Sequence, residues 1–336
     1  MNRTLRARVG INGFGRIGRI FYRAALKNQA DIEIVAINDV MDSKIMAHLL
    51  RFDSIHGKLN AEIKVSNDSF IINGEETKVF SVRNPAEIPW KKLDVDIVLE
   101  STGLFTKRED ASKHLSSGAK RVIVTAPSKD SDAMILPGIN DEQYDPKKHS
   151  VISMGSCTTN CVAPIAKVLD DNFGIIHGFM NTIHAYTNDQ RVLDLPHKAL
   201  SRARAAGLSI IPTTTGAAVS IGMVLPRLKG RLDGISLRVP VPNGSVLDLT
   251  VELEKEVTVE SVNEAFMEAA NHDLRSILEY STDQLVSVDI IGNPHSAIFD
   301  SLSTMEVGRK MAKVLAWYDN EWGYSCRLLD MIGKMK

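Results

Sequence analysis

The run Val9-Gly-Ile-Asn-Gly-Phe-Gly-Arg-Ile-Gly18 decides the fold, because a short apolar stretch passes directly into three spaced glycines and then into a helical pattern. Gly13, Gly15 and Gly18 stand in the order G-x-G-x-x-G. That spacing supplies a tight turn, a backbone that can approach a pyrophosphate, and close packing of helix on strand. Amides at the start of the following helix would then face the phosphates. Asp39 ends the next apolar run, roughly 20 residues beyond the last glycine, where a carboxylate can accept both ribose hydroxyls. An acid there repels a 2′-phosphate, so NAD is expected rather than NADP. The plainer reading is that the glycines only make a turn and Asp39 only ends a strand.

Working outward, apolar runs at Arg8 to Asn12, Ile32 to Asn38, Asp94 to Glu100, Arg121 to Thr125 and Val151 to Met154 read as strands. Helical patterns at Arg16 to Lys27 and Asp110 to Ser117 alternate with them, which is the rhythm of a parallel sheet crossed by helices. Phe70 to Ile72 and Thr77 to Ser81 flank Asn73-Gly74, a hairpin signal set inside that pattern. After Cys157 comes one helix, from about Thr158 to Asp171 and closed by Gly174. Longer strands follow at Gly178 to Thr187, Leu232 to Val239 and Ser245 to Glu252. The fold class expected is α/β: a Rossmann-type parallel-sheet domain over residues 1–156 with 320–336, plus an α+β catalytic domain over 157–319 with a mixed, largely antiparallel sheet. Asn188 to Ser209 reads as a long polar loop, and Arg327 to Lys336 as a short amphipathic helix packing back on the first domain.

Composition excludes several classes. In 336 residues, 44% are hydrophobic and 24% charged, as in a folded chain rather than a disordered one. The formal net charge of -1 leaves no global field to attract nucleic acid or an anionic membrane. Ile210 to Pro226 comes nearest to a bilayer-spanning run but is interrupted by Thr213, Thr214, Thr215 and Ser220. Three cysteines, Cys157, Cys161 and Cys326, make no disulfide framework, and no apolar leader precedes the glycine turn, so a cytoplasmic location is expected.

Cys157 lies between an apolar run and a helix start, where unpaired amides and the helix dipole stabilise a thiolate. Taken by type alone, a free cysteine is more often a buried, inert residue, as Cys161 one turn further on would be. Cys157 and Cys161 lack a complete metal ligand set, so no metal is expected. A nucleophilic cysteine needs a base. Nine histidines are available and spacing does not choose among them, although His184 sits in a strand-like run that would hold it rigidly.

From end to end the chain resembles the phosphorylating, NAD-dependent glyceraldehyde-3-phosphate dehydrogenases. The resemblance runs through Ile11 to Arg19, Glu100-Ser-Thr-Gly103, Ser156-Cys-Thr-Thr-Asn-Cys161, His184 to Gln190, Pro212 to Ala218, Leu237-Arg-Val-Pro240 and Trp317-Tyr-Asp-Asn-Glu321. It implies Cys157 as nucleophile and His184 as base. It implies that Arg16 and Ile17, with Gly13, Gly15 and Gly18, meet the pyrophosphate, Asp39 the adenosine ribose, Arg83 the adenine side, and Thr125 and Asn320 the nicotinamide side. Thr187, Asp189 and Arg238 would hold the phosphate already on the sugar, and Ser156, Thr158, Arg202, Thr215 and Gly216 the attacking inorganic phosphate. The implied reaction is oxidation of glyceraldehyde 3-phosphate through a Cys157 thioester to an acyl phosphate, in a homotetramer.

Gly155, Ala199, Ser201 and Gly244 depart from the usual pattern, and Ser201 removes one arginine beside Arg202. Erythrose-4-phosphate dehydrogenases are similar but usually lack the patterns at Thr187 to Asp189 and Thr213 to Gly216. Leu195-Pro196 match the NAD-using members. A cysteine hydrolase would leave the glycine fingerprint without a purpose; a noncatalytic dinucleotide-binding module is the other competing reading.

Overall fold

The computed structural model describes residues 6–66 and 68–336. They fall into two compact units. The first holds the described residues up to Leu136, then Asp141–Gly155 and Ser325–Lys336; the second holds Pro137–Asn140 and Ser156–Tyr324. Residues 1–5 of the expected first domain lie outside the described residues. The crossing falls after Gly155 rather than after residue 156, and the chain returns to the first unit at Ser325 rather than at 320, because the stretch before Ser325 stays with the second unit.

In the first unit, β1 (Ala7–Asn12) leads into α1 (Arg16–Lys27), β2 (Ile32–Asn38) and α2 (Ser43–Arg51). Short strands β3 (Phe52–Asp53) and β4 (Gly57–Lys58) form their own ladder. β5 (Ile63–Val65), β6 (Ser69–Ile72) and β7 (Glu75–Phe80) follow, with Asn73 and Gly74 both at positive φ in the β6–β7 turn. Then come β8 (Ile97–Glu100), α3 (Arg108–Ala111), α4 (Lys113–Ser116), β9 (Arg121–Val124), β10 (Ala133–Met134) and β11 (Val151–Ser153). The sheet order is β10-β11-β9-β8-β1-β2-β7-β6-β5. All pairings from β10 to β7 are parallel, and the two through β6 are antiparallel. β1 is buried along almost its whole length, as a central parallel strand must be.

Two expectations need correction. The strand expected from Asp94 starts only at Ile97, because Asp94 is left-handed (φ 45°) and closes a 3₁₀ turn over Trp90–Leu93. The single helix expected over 110–117 is two short ones meeting at Ser112, whose hydroxyl donates back to the Glu109 carbonyl.

The second unit opens with α5 (Cys157–Phe173), ended by Gly174 at φ 72°. β12 (Ile175–Ala185), β13 (Ile211–Thr214), α6 (Ala217–Val224), β14 (Leu232–Val239), β15 (Ser245–Leu253), α7 (Val259–Asn271), β16 (Leu278–Ser281), β17 (Ala297–Val307) and β18 (Met311–Tyr318) complete it. The sheet runs β13-β14-β12-β15-β18-β17-β16, with β12/β14 and β16/β17 parallel and the other four pairings antiparallel. α5 lies on this sheet against α6 and α7. Phe266 of α7 stacks on Phe299 of β17, with ring centroids 3.9 Å apart, which seals the helix layer. The last helix, α8 (Trp322–Lys334), starts five residues earlier than expected; its later part belongs to the first unit, where Arg121 Nη1 donates to the Met335 carbonyl.

Candidate active site

The glycine turn builds a cavity at the carboxyl ends of the parallel strands. Gly13 has φ 93°, and a Cβ there would lie 2.6 Å from the Thr102 amide nitrogen; one on Gly18 would lie 2.3 Å from the Gly13 carbonyl oxygen. Only glycine permits both approaches. A Cβ on Gly15 would meet no protein atom within 4 Å, so the space beside this residue is open. Gly15 is the N-cap of α1, and no side chain caps that helix. The cavity, of about 310 Å³, is lined by Asn12, Gly13, Gly15, Asp39, Arg83 and Thr102 among others. A carboxylate, a bare helix N-terminus and a glycine cradle together fit a dinucleotide such as NAD.

Asp39 is fixed before any ligand arrives: its carboxylate accepts the Phe14 amide at 2.6 Å and the Met41 amide at 2.9 Å. The Arg16 guanidinium is committed elsewhere, forked onto Asp53 at 2.5 and 3.3 Å. Burial pushes the Asp53 carboxyl up, but Arg16 and the amides of His56 and Ile55 outweigh it and hold the pKa at about 2. Arg16 and Ile17 stand in the first turn of α1, directly after Gly15, and are not among the residues that line the cavity. Thr125 donates its hydroxyl and amide to the Glu100 carbonyl at the end of β8.

In the second unit, Ser156 caps α5. Its hydroxyl accepts the Thr159 amide at 3.0 Å, while Thr159 Oγ1 accepts the Ser156 amide at 3.2 Å, a reciprocal capping box. Cys157, the first helical residue, is thereby placed with Sγ 3.4 Å from His184 Nε2. His184 reaches it because Met180, Thr182 and His184 share the inward face of β12. The parallel register pairs His184 with Arg238 of β14. Arg238 Nη1 lies 2.6 Å from His184 Nδ1 and donates to the Ala185 carbonyl at 3.0 Å; that carbonyl lies 2.7 Å from the same ring nitrogen.

Burial pushes the Cys157 thiol up, against the pull of Arg238 and of hydrogen bonds from Thr158 and its own amide. Burial, and then Arg238, push His184 down to about 3. Each group alone thus favours its neutral form, so the helix-start thiolate expected from sequence is opposed by desolvation. A proton moving from Sγ to Nε2 would leave two opposite charges in contact, which is the condition for general-base activation.

Tyr318 lies in the Trp317 to Glu321 stretch that carries the resemblance, but the sequence assigns it no role. Its hydroxyl bridges Thr158 Oγ1 at 3.0 Å and Thr182 Oγ1 at 2.7 Å, and its ring meets the His184 ring edge-on at 5.9 Å. Among residues assigned to the two phosphates, Asp189 and Arg202 are ion-paired with each other, and His197 Nε2 lies 3.3 Å from Asp189. Arg202 Nε also donates to Thr213 Oγ1 at 2.8 Å. Thr187 donates its amide to Gln190, and Thr215 Oγ1 accepts the Ala217 amide at the start of α6, where Gly216 is the N-cap. Asn320 is buried, its Oδ1 accepting the Ser245 hydroxyl at 2.9 Å. Buried Arg238 Nε has no partner, an orphan donor in a site lined with others.

Among the described residues, no group of three or more His, Cys, Asp and Glu is placed to hold a metal, and no helix is long and apolar enough to cross a membrane. Residues 7–108 match the family described as glyceraldehyde 3-phosphate dehydrogenase, NAD binding domain, and residues 156–320 the one described as its C-terminal domain. A protein named glyceraldehyde-3-phosphate dehydrogenase 2 from Streptomyces avermitilis is 60% identical over 324 residues, covering 96% of this chain and 97% of that one. The glyceraldehyde-3-phosphate dehydrogenase of Geobacillus stearothermophilus is 59% identical over 324 residues, 96% of each chain. That of Mycobacterium avium is 55% identical over 331 residues, 97% of each.

Proposed function

The chain belongs to the glyceraldehyde 3-phosphate dehydrogenase family, and from that premise we propose how its residues carry out the reaction. It is an NAD-dependent oxidoreductase that converts glyceraldehyde 3-phosphate and inorganic phosphate to 1,3-bisphosphoglycerate. The observation that carries the mechanism is the 3.4 Å approach of Cys157 Sγ to His184 Nε2 at the start of α5.

Cys157 Sγ attacks the aldehyde carbon as its proton passes to His184 Nε2, giving a thiohemiacetal. His184 N–H and the first amides of α5 hold the oxygen that gains charge, and Nε2 returns its proton to that oxygen as the hydroxyl. His184 then takes the hydroxyl proton, and NAD, when bound, supplies the acceptor for the departing hydride. The Cys157 thioester that results is cleaved by inorganic phosphate: the new P–O–C bond forms, the C–S bond breaks, and Sγ leaves beside Arg238 and His184.

Arg238 couples binding to this chemistry. The Ala185 carbonyl asks His184 Nδ1 for a proton, whereas the Arg238 guanidinium asks it for a lone pair. Substrate phosphate drawn to Arg238 removes the second demand, so Nδ1–H donates to Ala185 and Nε2 is left as the acceptor facing sulfur. Thr187 and Asp189 complete the site for that phosphate; Ser156, Thr158, Arg202, Thr215 and Gly216 receive the inorganic one. Asp39, Arg83, Thr125 and Asn320 hold NAD.

Support for a homotetramer comes from the loop after β12, where Val192, Leu193, Leu200 and Leu208 are 67 to 86% exposed. The odd count of three cysteines, with no disulfide framework to build, supports a reducing, cytoplasmic setting. The test of the mechanism is the Cys157→Ser variant, assayed for NADH formation and for NAD binding by calorimetry. Oxidation should vanish while NAD affinity persists; turnover by the variant would remove Cys157 from its role.

A further inference from the structure

A continuous buried line of hydrogen bonds runs under the dinucleotide cavity, and three of its members, Trp90, Glu100 and His114, do not line that cavity. Trp90 Nε1 donates to His114 Nδ1 at 2.9 Å, and His114 Nε2 lies 3.0 Å from Glu100 Oε2. From the other side, Asn12 Nδ2 donates to the same oxygen at 2.6 Å, Asn38 Nδ2 donates to Asn12 Oδ1 at 2.7 Å, and the Val82 amide donates to Asn38 Oδ1 at 2.9 Å. The second Glu100 oxygen accepts the Thr102 amide at 2.9 Å and the Thr102 hydroxyl at 2.5 Å. Trp90, His114, Glu100, Asn12 and Asn38 are all 4% exposed or less, so water does not enter to mend a broken link.

The direction of every link is forced. An indole N–H and a backbone amide can only donate, and they terminate the two arms. Trp90 therefore makes His114 Nδ1 an acceptor, which puts the ring proton on Nε2, aimed at Glu100. On the other arm, Val82 makes Asn38 Oδ1 the acceptor, so Asn38 Nδ2 donates to Asn12, whose own Nδ2 must donate to Glu100. Both arms, and Thr102 besides, end as donors on one side chain. Only a carboxylate accepts at both oxygens.

The line also connects the two walls of the cavity. Thr102 lines one side, and Val82 and Arg83 another, with Asn12 and Asn38 between them at the ends of β1 and β2. Glu100 and His114 are not among the lining residues. We propose that Glu100 is the positioning residue of the cofactor site, the common acceptor whose two donor arms, ending at Trp90 and Val82, set the wall positions that determine NAD affinity. This rests on the cavity being the NAD site.

An amide at position 100 presents two hydrogens where donors already point. Relief by reversing the His114 tautomer is blocked, because Nδ1–H would then face the Trp90 N–H. Relief by flipping Asn12 sets its Nδ2 against Asn38 Nδ2, and the conflict moves on to Val82. Trp90→Phe removes the first obstacle while keeping a ring over Gly10, where a Cβ would lie 2.7 Å from the indole. His114 is then able to carry its proton on Nδ1 and to accept, at Nε2, from the amide introduced at position 100.

The experiment is a double-mutant cycle of Glu100→Gln and Trp90→Phe, read by calorimetric NAD affinity and by ¹⁵N shifts of the His114 ring without NAD. Glu100→Gln should weaken NAD about tenfold or more, and adding Trp90→Phe should restore most of that loss. Unchanged affinity in Glu100→Gln, or a double variant no tighter than the single one, overturns the proposal. Should Glu100→Gln fail to fold, folding regained in the double variant supports it and a double variant that also fails overturns it. The ring shifts of the wild type separate this from the cofactor reading: they should report Nε2–H alone whether or not NAD binds, and an Nδ1–H ring overturns the forced-direction argument.

Discussion

Asp53 shows how much a single side chain can fix around a binding edge. Its carboxylate accepts the Ile55 and His56 amides, each at 2.9 Å, and the Arg16 fork, which anchors the start of α1. A folded-state pKa of about 2 against an ordinary 3.8 means the unfolded chain binds the proton more tightly. The stabilisation is therefore complete above the ordinary carboxylate value and is lost as pH falls from about 4 through about 2. It amounts to about 2 kcal/mol. Urea unfolding of Asp53→Asn should show a loss of that order at neutral pH and a flatter acid dependence; an unchanged acid limb would contradict the assignment. Nothing in the sequence announces this residue, because Arg16 and Asp53 are brought together by tertiary packing. The place of Cys157 at a helix start was legible from the sequence, and the nucleophile role proposed for it came from resemblance. His184 was legible only through resemblance, since its contact with Cys157 depends on which face of β12 turns inward, and its contact with Arg238 on a parallel register.

At the scale of elements, legibility followed local chemistry. β2, α1 and β14 have the bounds read from apolar pattern, and the β6–β7 turn has the Asn-Gly geometry its sequence demands. α6 was not read as a helix, because its Ala217–Val224 segment is apolar around the whole circumference and offers no period. α2 and α7 were likewise not singled out, although Asp42 and Thr258 cap them as local side-chain acceptors. The start of α5 carries the strongest functional demand. Ser156→Ala removes one half of the capping box and should cost about 1 kcal/mol of stability. It should also slow alkylation of Cys157 by iodoacetamide, because the amides that steady the thiolate are no longer held. Unaltered alkylation with lowered stability would confine Ser156 to a purely structural role.

For the whole molecule, the division into a dinucleotide unit and a substrate unit was readable because a parallel βαβ rhythm gives way to long strands after Cys157. The boundaries were less so, since α8 begins in one unit and ends in the other. Assembly adds another level. The proposed homotetramer predicts a sedimentation mass of four chains, lowered by Leu200→Asp and Leu208→Asp together; a monomeric wild type would refute it. The account as a whole stands on covalent capture by one sulfur, and mass spectrometry of protein mixed with NAD and glyceraldehyde 3-phosphate in the absence of inorganic phosphate tests that directly. A 3-phosphoglyceryl adduct confined to the Cys157 peptide, absent without NAD and discharged by added phosphate, is the expected result. No adduct, or one carried by Cys161 or Cys326, would contradict it.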